Sequence, residues 1–290
     1  METIINKTYF NIILKYVNKL CPNIRTPKYT NSYYLTNILS LLNEFVTWKS
    51  LRKSISYKNG KLANKPMCDI LKDNHYKTIA AKHLLWSRSK VYEFAYKEIM
   101  KMQIPTKGDH LQLIIDATLI INKTGIDEIG YGSETRKKKF TKLTVISDND
   151  ANLIAVIAHK ANDKEIKFKN NDKIYQIKTL EHEIKGIVPA ISSLRTNKNI
   201  TLTADAGYVM HDKDKLILKN KLKITLISPY RCNQNRENTK EEIELLKKRP
   251  KVENAIQKLK RYNRVHVRRD QLLCSYMGFV HMAYMVVHST

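Results

Sequence analysis

Apolar residues in the first hundred positions recur every three or four residues, which is the spacing of one buried face of an α-helix. The clearest run covers residues 35–45, and two further helical segments cover residues 75–86 and 90–102. A polar, turn-forming segment at residues 57–66 separates the first run from this pair and predicts a loop. The pattern therefore predicts an all-helical N-terminal region over residues 1–106.

The helical segments at residues 75–86 and 90–102 are separated by a short break that contains Ser87 and Ser89. Two short helices joined by a tight turn and flanked by basic residues fit a helix-turn-helix DNA-binding unit. An ordinary helical hairpin fits the same residues, because the break lacks the glycine that is common in helix-turn-helix units. Both interpretations stay open at the level of sequence.

The hydrophobic pattern changes after the turn-forming residues 105–108. Short β-branched runs separated by polar turns follow, and such runs predict strands. The predicted strands cover residues 111–121, 141–147, 152–159, 199–205 and 223–229, and the predicted helices cover residues 174–187 and 212–220, with further helices from residue 239 onward. This alternation predicts an α/β domain over residues 107–290, with a mixed sheet flanked by helices.

Positive charge dominates the composition, since 52 Lys and Arg against 27 Asp and Glu give a formal charge of +25 at pH 7. A bias toward A/T-rich codons explains part of the lysine content, but not the scarcity of acids. The excess favours a polyanionic partner, nucleic acid before a membrane surface.

No membrane anchor is expected, because the most apolar stretch, residues 277–287, falls short of the roughly 20 residues that span a bilayer. It is better interpreted as a buried closing element. The four cysteines are widely spaced and the N-terminus shows no signal-peptide pattern. We therefore expect an intracellular protein, in the cytoplasm and nucleoid of a bacterium or in the nucleus of a eukaryotic or virus-infected cell.

Glu253 is the only carboxylate between residues 247 and 269, a segment with ten Lys or Arg. A helix that only coats a phosphate backbone gains nothing from that acid, which would repel DNA. A metal site beside a phosphodiester explains both the cations and the single carboxylate. The isolated acid therefore raises the question of partner carboxylates elsewhere in the chain.

Asp116 and Asp205 supply candidate partners, because each follows an apolar strand-like run. Charged residues at the carboxyl ends of strands lie where open α/β folds bind ligands. Two such carboxylates and one on a following helix can converge on divalent cations, and Mg²⁺ prefers oxygen ligands of this kind. Taken singly, Asp116 and Asp205 also fit simple turn-forming roles.

Residues 111–287 resemble the catalytic domain of the cut-and-paste insertion-sequence transposases that carry a DDE triad. The segment IIDATLIINKTGIDEIGYG resembles the family's first-aspartate strand and hairpin, and TLTADAGY resembles its second-aspartate motif. The family signature of Arg, three residues, Glu, six residues and Lys is similar to Arg249, Glu253 and Lys260. Leu246 stands where that signature often has Tyr.

This resemblance implies a ribonuclease-H-like fold in which Asp116, Asp205 and Glu253 are catalytic and bind Mg²⁺, or Mn²⁺ in its place. It also implies that Arg249 and Lys260 contact phosphate or the DNA end. A basic tract between the first two strands is expected to reach the DNA backbone, although a charged hairpin tip explains it nearly as well. The further residues predicted to contact DNA are Arg264, Arg136, Lys137, Lys138, Lys139 and Lys142.

The resulting hypothesis is a transposase of a mobile element, which hydrolyses a phosphodiester at the element ends and transfers the strand into target DNA. Its expected partners are double-stranded DNA, both terminal inverted repeats and target, and a second copy of the chain on that DNA. Two alternatives remain open: a nuclease of the same fold, and a catalytically silent DNA-binding protein derived from a transposase.

Overall fold

The structure is a computed structural model. It describes residues 5–23, 29–43, 48, 76–104, 108–131, 139–160, 165–170, 173–178, 187, 191, 198–208, 210–230 and 237–289.

The described helices are α1 (Lys7–Leu20), α2 (Asn31–Ser40), α3 (Tyr76–Arg88), α4 (Val91–Gln103), α5 (Asp212–Leu222), α6 (Lys240–Leu246), α7 (Lys251–Lys260), α8 (Asn263–His266) and α9 (Leu273–Val287). The described strands are β1 (His110–Asn122), β2 (Gly130–Tyr131), β3 (Lys139–Ser147), β4 (Leu153–Lys160), β5 (Glu165–Asn170), β6 (Lys173–Lys178), β7 (Asn199–Thr203), β8 (Ile224–Ile227) and β9 (Val267–Arg268).

The chain forms two compact units. The first comprises Met1–Ile99, Lys123–Asp127 and Leu259–Thr290, and the second comprises Met100–Asn122 and Glu128–Lys258. The sequence predicts a single domain boundary near residue 106, whereas this division places the C-terminal helix α9 in the same unit as the N-terminal helices.

The described elements of the first unit are mainly helices. α1 begins at a cap in which the Asn6 side chain accepts a hydrogen bond from the Thr8 amide. The longest apolar helix, α9, is buried over most of its length and contacts α3. The interpretation of this segment as a buried element is therefore confirmed.

The helix pair predicted at residues 75–102 is present as α3 and α4. The turn between them places Lys90 in the left-handed region, with φ of 59°. Both helices bury one face, which includes Ile79, Trp86, Tyr92 and Tyr96. DNA binding by this pair stays a prediction.

Gly278 lets α9 approach its neighbours closely inside the first unit. A Cβ atom at this position would lie 2.9 Å from His83 Cε1 and 2.8 Å from Ser87 Oγ. His83 Nε2 lies 3.0 Å from the Ser275 carbonyl oxygen and Nδ1 lies 3.2 Å from the Tyr92 hydroxyl. Because a carbonyl can only accept, the neutral ring donates through Nε2 and accepts through Nδ1.

The buried histidines of the first unit predict loss of stability in mild acid. Burial lowers the pKa of both His83 and His281 to about 4, whereas an unfolded histidine titrates near about 6.5. As the pH falls below that value, the unfolded chain binds protons that the folded chain excludes. The free energy of unfolding is therefore highest above the unfolded pKa and decreases as the pH falls toward the folded one.

Urea denaturation followed by tryptophan fluorescence tests this prediction, because both tryptophans of the chain, Trp48 and Trp86, belong to the first unit. We expect a clearly lower urea midpoint at about pH 5 than at about pH 7.5. Equal midpoints at the two pH values would contradict buried, neutral histidines.

The second unit contains a mixed sheet of six strands among the described residues. The order is β4–β3–β1–β7–β8, with β2 also paired to β3. β1, β3 and β4 are antiparallel neighbours, whereas β7 runs parallel to β1 and β8 runs parallel to β7. The predicted mixed sheet is therefore confirmed, and its buried residues include Ile115, Ile146 and Leu202.

Two predictions about the second unit are wrong in detail. Residues 173–178, assigned in part to a helix at 174–187, form strand β6, which pairs with β5 in a separate two-stranded sheet. The alternating sequence KIYQIK has the β-branched and aromatic composition of a strand, and the polar residues 170–172 favour a turn before it. The prediction that Asp116 ends its strand also fails, because residues 117–121 are themselves strand-forming and β1 continues to Asn122.

Candidate active site

The carboxylates of Asp116, Asp205 and Glu253 all face one guanidinium group. Arg249 Nη2 lies 3.0 Å from Asp116 Oδ2 and 3.9 Å from Asp205 Oδ2. Arg249 Nη1 lies 3.5 Å from Glu253 Oε1. Three acids that are separated by up to 137 positions in the sequence therefore meet at one place in the second unit.

Strand register brings the two aspartates to the same level. β1 and β7 are parallel neighbours in which Ile114 pairs with Thr203. Asp116 and Asp205 each lie two residues further along their chains. Asp205 follows the carboxyl end of β7, as the sequence predicts, whereas Asp116 lies in the middle of β1.

Each aspartate uses one oxygen for the backbone and presents the other to Arg249. Asp116 Oδ1 accepts a hydrogen bond from the Ala117 amide at 2.7 Å, and Asp205 Oδ1 accepts one from the Gly207 amide at 2.8 Å. Both Oδ2 atoms face the guanidinium. The turn-forming role considered for Asp205 therefore coexists with a place in the cluster.

Glu253 and Arg249 are positioned by two short helices. α6 begins with a capping box, in which Thr239 and Glu242 exchange side-chain and backbone hydrogen bonds. α7 follows with Val252 and Ile256 buried, so Glu253 lies on the more exposed side of the helix. The acid occupies the first turn of α7, where the helix dipole favours negative charge.

The cluster combines three carboxylates with one guanidinium, which leaves an excess of negative charge when all are ionised. The Asp116 side chain is 13% exposed and that of Glu253 is 57% exposed, so the site extends from the interior to the surface. Arg249 Nε is buried and has no hydrogen-bond partner among the described residues. An unsatisfied buried donor costs about 1–3 kcal/mol, so the charge pairing of Arg249 carries an opposing penalty.

The donor chemistry of this cluster fits a divalent cation. All three acids provide carboxylate oxygens, the ligands that Mg²⁺ prefers, and a positive group already lies among them. As they stand, no three His, Cys, Asp or Glu side chains within the described residues are grouped closely enough to hold a metal ion. The residues fit the ion in type, while Arg249 fills the space between them.

The basic tract assigned to DNA is only partly described. Arg136, Lys137 and Lys138 lie outside the described residues. Lys139 is exposed at the start of β3, which suits a surface contact. Lys142 is only 5% exposed, so the prediction of a DNA contact at this residue does not match its buried position.

The assignment of Arg264 to DNA binding also needs correction. Arg264 is fully buried in the first unit and lies 4.0 Å from Asp270 Oδ2. Its guanidinium carbon lies 5.1 Å from the ring centroids of both Trp48 and Phe279. A cation held between aromatic rings stabilises the unit and cannot reach a DNA surface. Lys260, also in the first unit, is partly buried, and burial lowers its pKa.

Two features of the site were missed in the sequence. The amides of Ala117 and Gly207 orient the aspartates, and backbone donors have no sequence signal of their own, although the glycine suggests a tight turn at residue 207. The central place of Arg249 was also missed. Its spacing of four residues from Glu253 predicts one ion pair, but not the two pairs with the aspartates.

The fold is similar to that of a known transposase. A cryo-EM structure of a piggyBac transposase synaptic complex with hairpin DNA matches 98% of this chain and 72% of its own chain, with a TM-score of 0.51 and 13% sequence identity. At this identity the likeness shows the fold alone, which is therefore transposase-like. No protein-family model and no curated protein matches the sequence.

Within the described residues, no helix combines the length and the apolar character that crossing a bilayer requires.

Proposed function

We propose that this protein is a DDE-type transposase with a ribonuclease-H-like catalytic domain. The observation that carries the proposal is the meeting of Asp116, Asp205 and Glu253 around Arg249. The transposase-like fold and the formal charge of +25 support it. No covalent protein–DNA intermediate is required.

Asp116, Asp205 and Glu253 would hold Mg²⁺ or Mn²⁺, which when bound supplies Lewis-acid activation of the attacking oxygen and stabilisation of the leaving oxygen. The two aspartates are suited to this role because backbone amides fix one oxygen of each and leave the other directed into the site. Glu253, on the exposed side of α7, would complete the ligand set at the surface where DNA arrives.

The proposed reaction has two steps, hydrolysis at the element end and strand transfer into target DNA. In the first, water attacks a phosphorus atom at the element end, and the bond to the 3′ oxygen breaks, leaving a 3′-hydroxyl and a 5′-phosphate. In the second, that 3′-hydroxyl attacks a phosphorus atom of target DNA and displaces the target's 3′ oxygen. Exposed cations such as Lys139 would bind the DNA backbone through charge.

DNA cleavage by the purified protein tests the proposal. The substrate is the genomic DNA that flanks the coding region on both sides, which should contain inverted repeats bordered by a short target duplication. We expect Mg²⁺- or Mn²⁺-dependent release of a 3′-hydroxyl at the repeats and its joining to plasmid DNA. Cleavage without joining would identify a nuclease, and tight repeat binding without cleavage in either ion would identify a silent DNA-binding protein.

Pairing of two element ends predicts a homodimer on DNA. Light scattering of the complex with repeat DNA should give a mass of two protein chains with their bound DNA. A complex that contains one chain at saturating protein would contradict this part of the proposal.

A further inference from the structure

We infer that Arg249 is an internal counter-ion that competes with divalent cations for Asp116, Asp205 and Glu253. This inference rests on the proposed function, because it concerns the same carboxylates. It adds a device by which the protein keeps its cation site closed in the absence of DNA.

The geometry gives Arg249 the position that a bound cation would need. Its two terminal nitrogens lie 3.0 to 3.9 Å from oxygens of all three acids. The only one of these contacts that is also a hydrogen bond is the one to Asp116. A single side chain therefore neutralises part of the charge of three acids, which lie in β1, in the turn after β7 and in α7.

Charge repulsion follows from this position. A divalent cation that approaches the same oxygens meets the positive guanidinium at short range, where interactions between charges are strong. It must either displace Arg249 or bind more weakly beside it. Arg249 therefore lowers the affinity of the cluster for divalent cations while it remains in place.

The contacts that keep Arg249 among the three acids are weak enough to allow its release. Arg249 Nε is buried with no hydrogen-bond partner within the described part of the chain, and the contacts with Asp205 and Glu253 are longer than hydrogen bonds. A phosphate group offers a guanidinium two charged acceptors at once. DNA phosphate that draws Arg249 away would open the carboxylates to the cation.

Binding of Mn²⁺ to DNA-free protein tests the inference independently of catalysis. The free ion is quantified by electron paramagnetic resonance for wild type, Arg249→Gln and Arg249→Lys. We expect Arg249→Gln to bind Mn²⁺ at least about tenfold more tightly than wild type, since one positive charge at short range is removed. Arg249→Lys keeps the charge and should stay close to wild type.

The matched control is Lys251→Gln, which removes the same charge from an exposed residue two positions away. Its Mn²⁺ affinity should equal that of wild type. Because the Arg249 side chain is 28% exposed, glutamine at this position leaves no large cavity, and thermal melting checks that the variants fold.

The outcomes separate the inference from the proposed function. Equal or weaker Mn²⁺ binding by Arg249→Gln would overturn the counter-ion role and show that Arg249 instead organises the ligands. The double variant Arg249→Gln with Asp205→Asn should lose the tighter Mn²⁺ binding expected for Arg249→Gln alone. If it binds Mn²⁺ as well as Arg249→Gln does, the ion is elsewhere, and the metal assignment of the proposed function fails.

Discussion

Under the proposed function, the Asp205→Asn variant is expected to lose DNA cleavage by roughly a thousandfold or more, because it removes one negative charge from the three carboxylates proposed to hold the metal ion. Asparagine has nearly the same shape and can still accept the hydrogen bond from the Gly207 amide. The local turn should therefore survive, and the loss should come from the missing charge at the atom that faces Arg249.

Initial rates of end nicking in Mg²⁺ measure this effect, with thermal melting to verify folding. The control is Asp150→Asn, which makes the same chemical change at an exposed loop carboxylate of the same unit. The control should cleave like wild type. Full activity of Asp205→Asn, or an equal loss in the control, would refute the role assigned to Asp205.

The Asp270→Asn variant is expected to reduce the free energy of unfolding of the first unit by about 3 kcal/mol or more, the cost of leaving a buried charge without its partner. The Asp270 side chain is 2% exposed and faces the fully buried Arg264. Its other oxygen accepts hydrogen bonds from the Trp48 indole at 3.3 Å and the Ser275 hydroxyl at 3.0 Å. Asparagine can keep those two contacts but not the compensating charge.

Urea denaturation monitored by tryptophan fluorescence reports on this unit, since it contains both tryptophans. Lys15→Gln is the comparison, because it breaks an ion pair with Glu98 in the same unit and its lysine is exposed. Exposed pairs contribute about 0–1 kcal/mol. Similar midpoints for the two variants would show that the Arg264–Asp270 pair does not stabilise the unit.

The main strands could be predicted because their own residue types favour strands. β1, β3 and β4 are rich in β-branched and other apolar residues, and most residues of β3 and β4 are buried. Residues 174–178 of β6 were assigned to a charged helix that continues to residue 187, although their β-branched and aromatic residues favour a strand.

The acidic residues of the candidate site could be predicted from the sequence, but the positions of its basic residues could not. Asp205 and Glu253 stand out by position, one after a strand and one alone among cations. Among many Lys and Arg, however, sequence does not show which side chain turns inward. Tertiary packing places Arg249 beside Asp116 and buries Arg264 between aromatic rings, and neither contact is local in sequence.

The claim that Asp116, Asp205 and Glu253 form one cation site is tested most directly by iron-mediated cleavage of the polypeptide. Fe²⁺ bound in place of Mg²⁺, with ascorbate and hydrogen peroxide, produces hydroxyl radicals that cut the backbone beside the ion. We predict cuts near all three acids, each suppressed by excess Mg²⁺. Cuts near only one of them, or a pattern that Mg²⁺ does not change, would contradict a shared site.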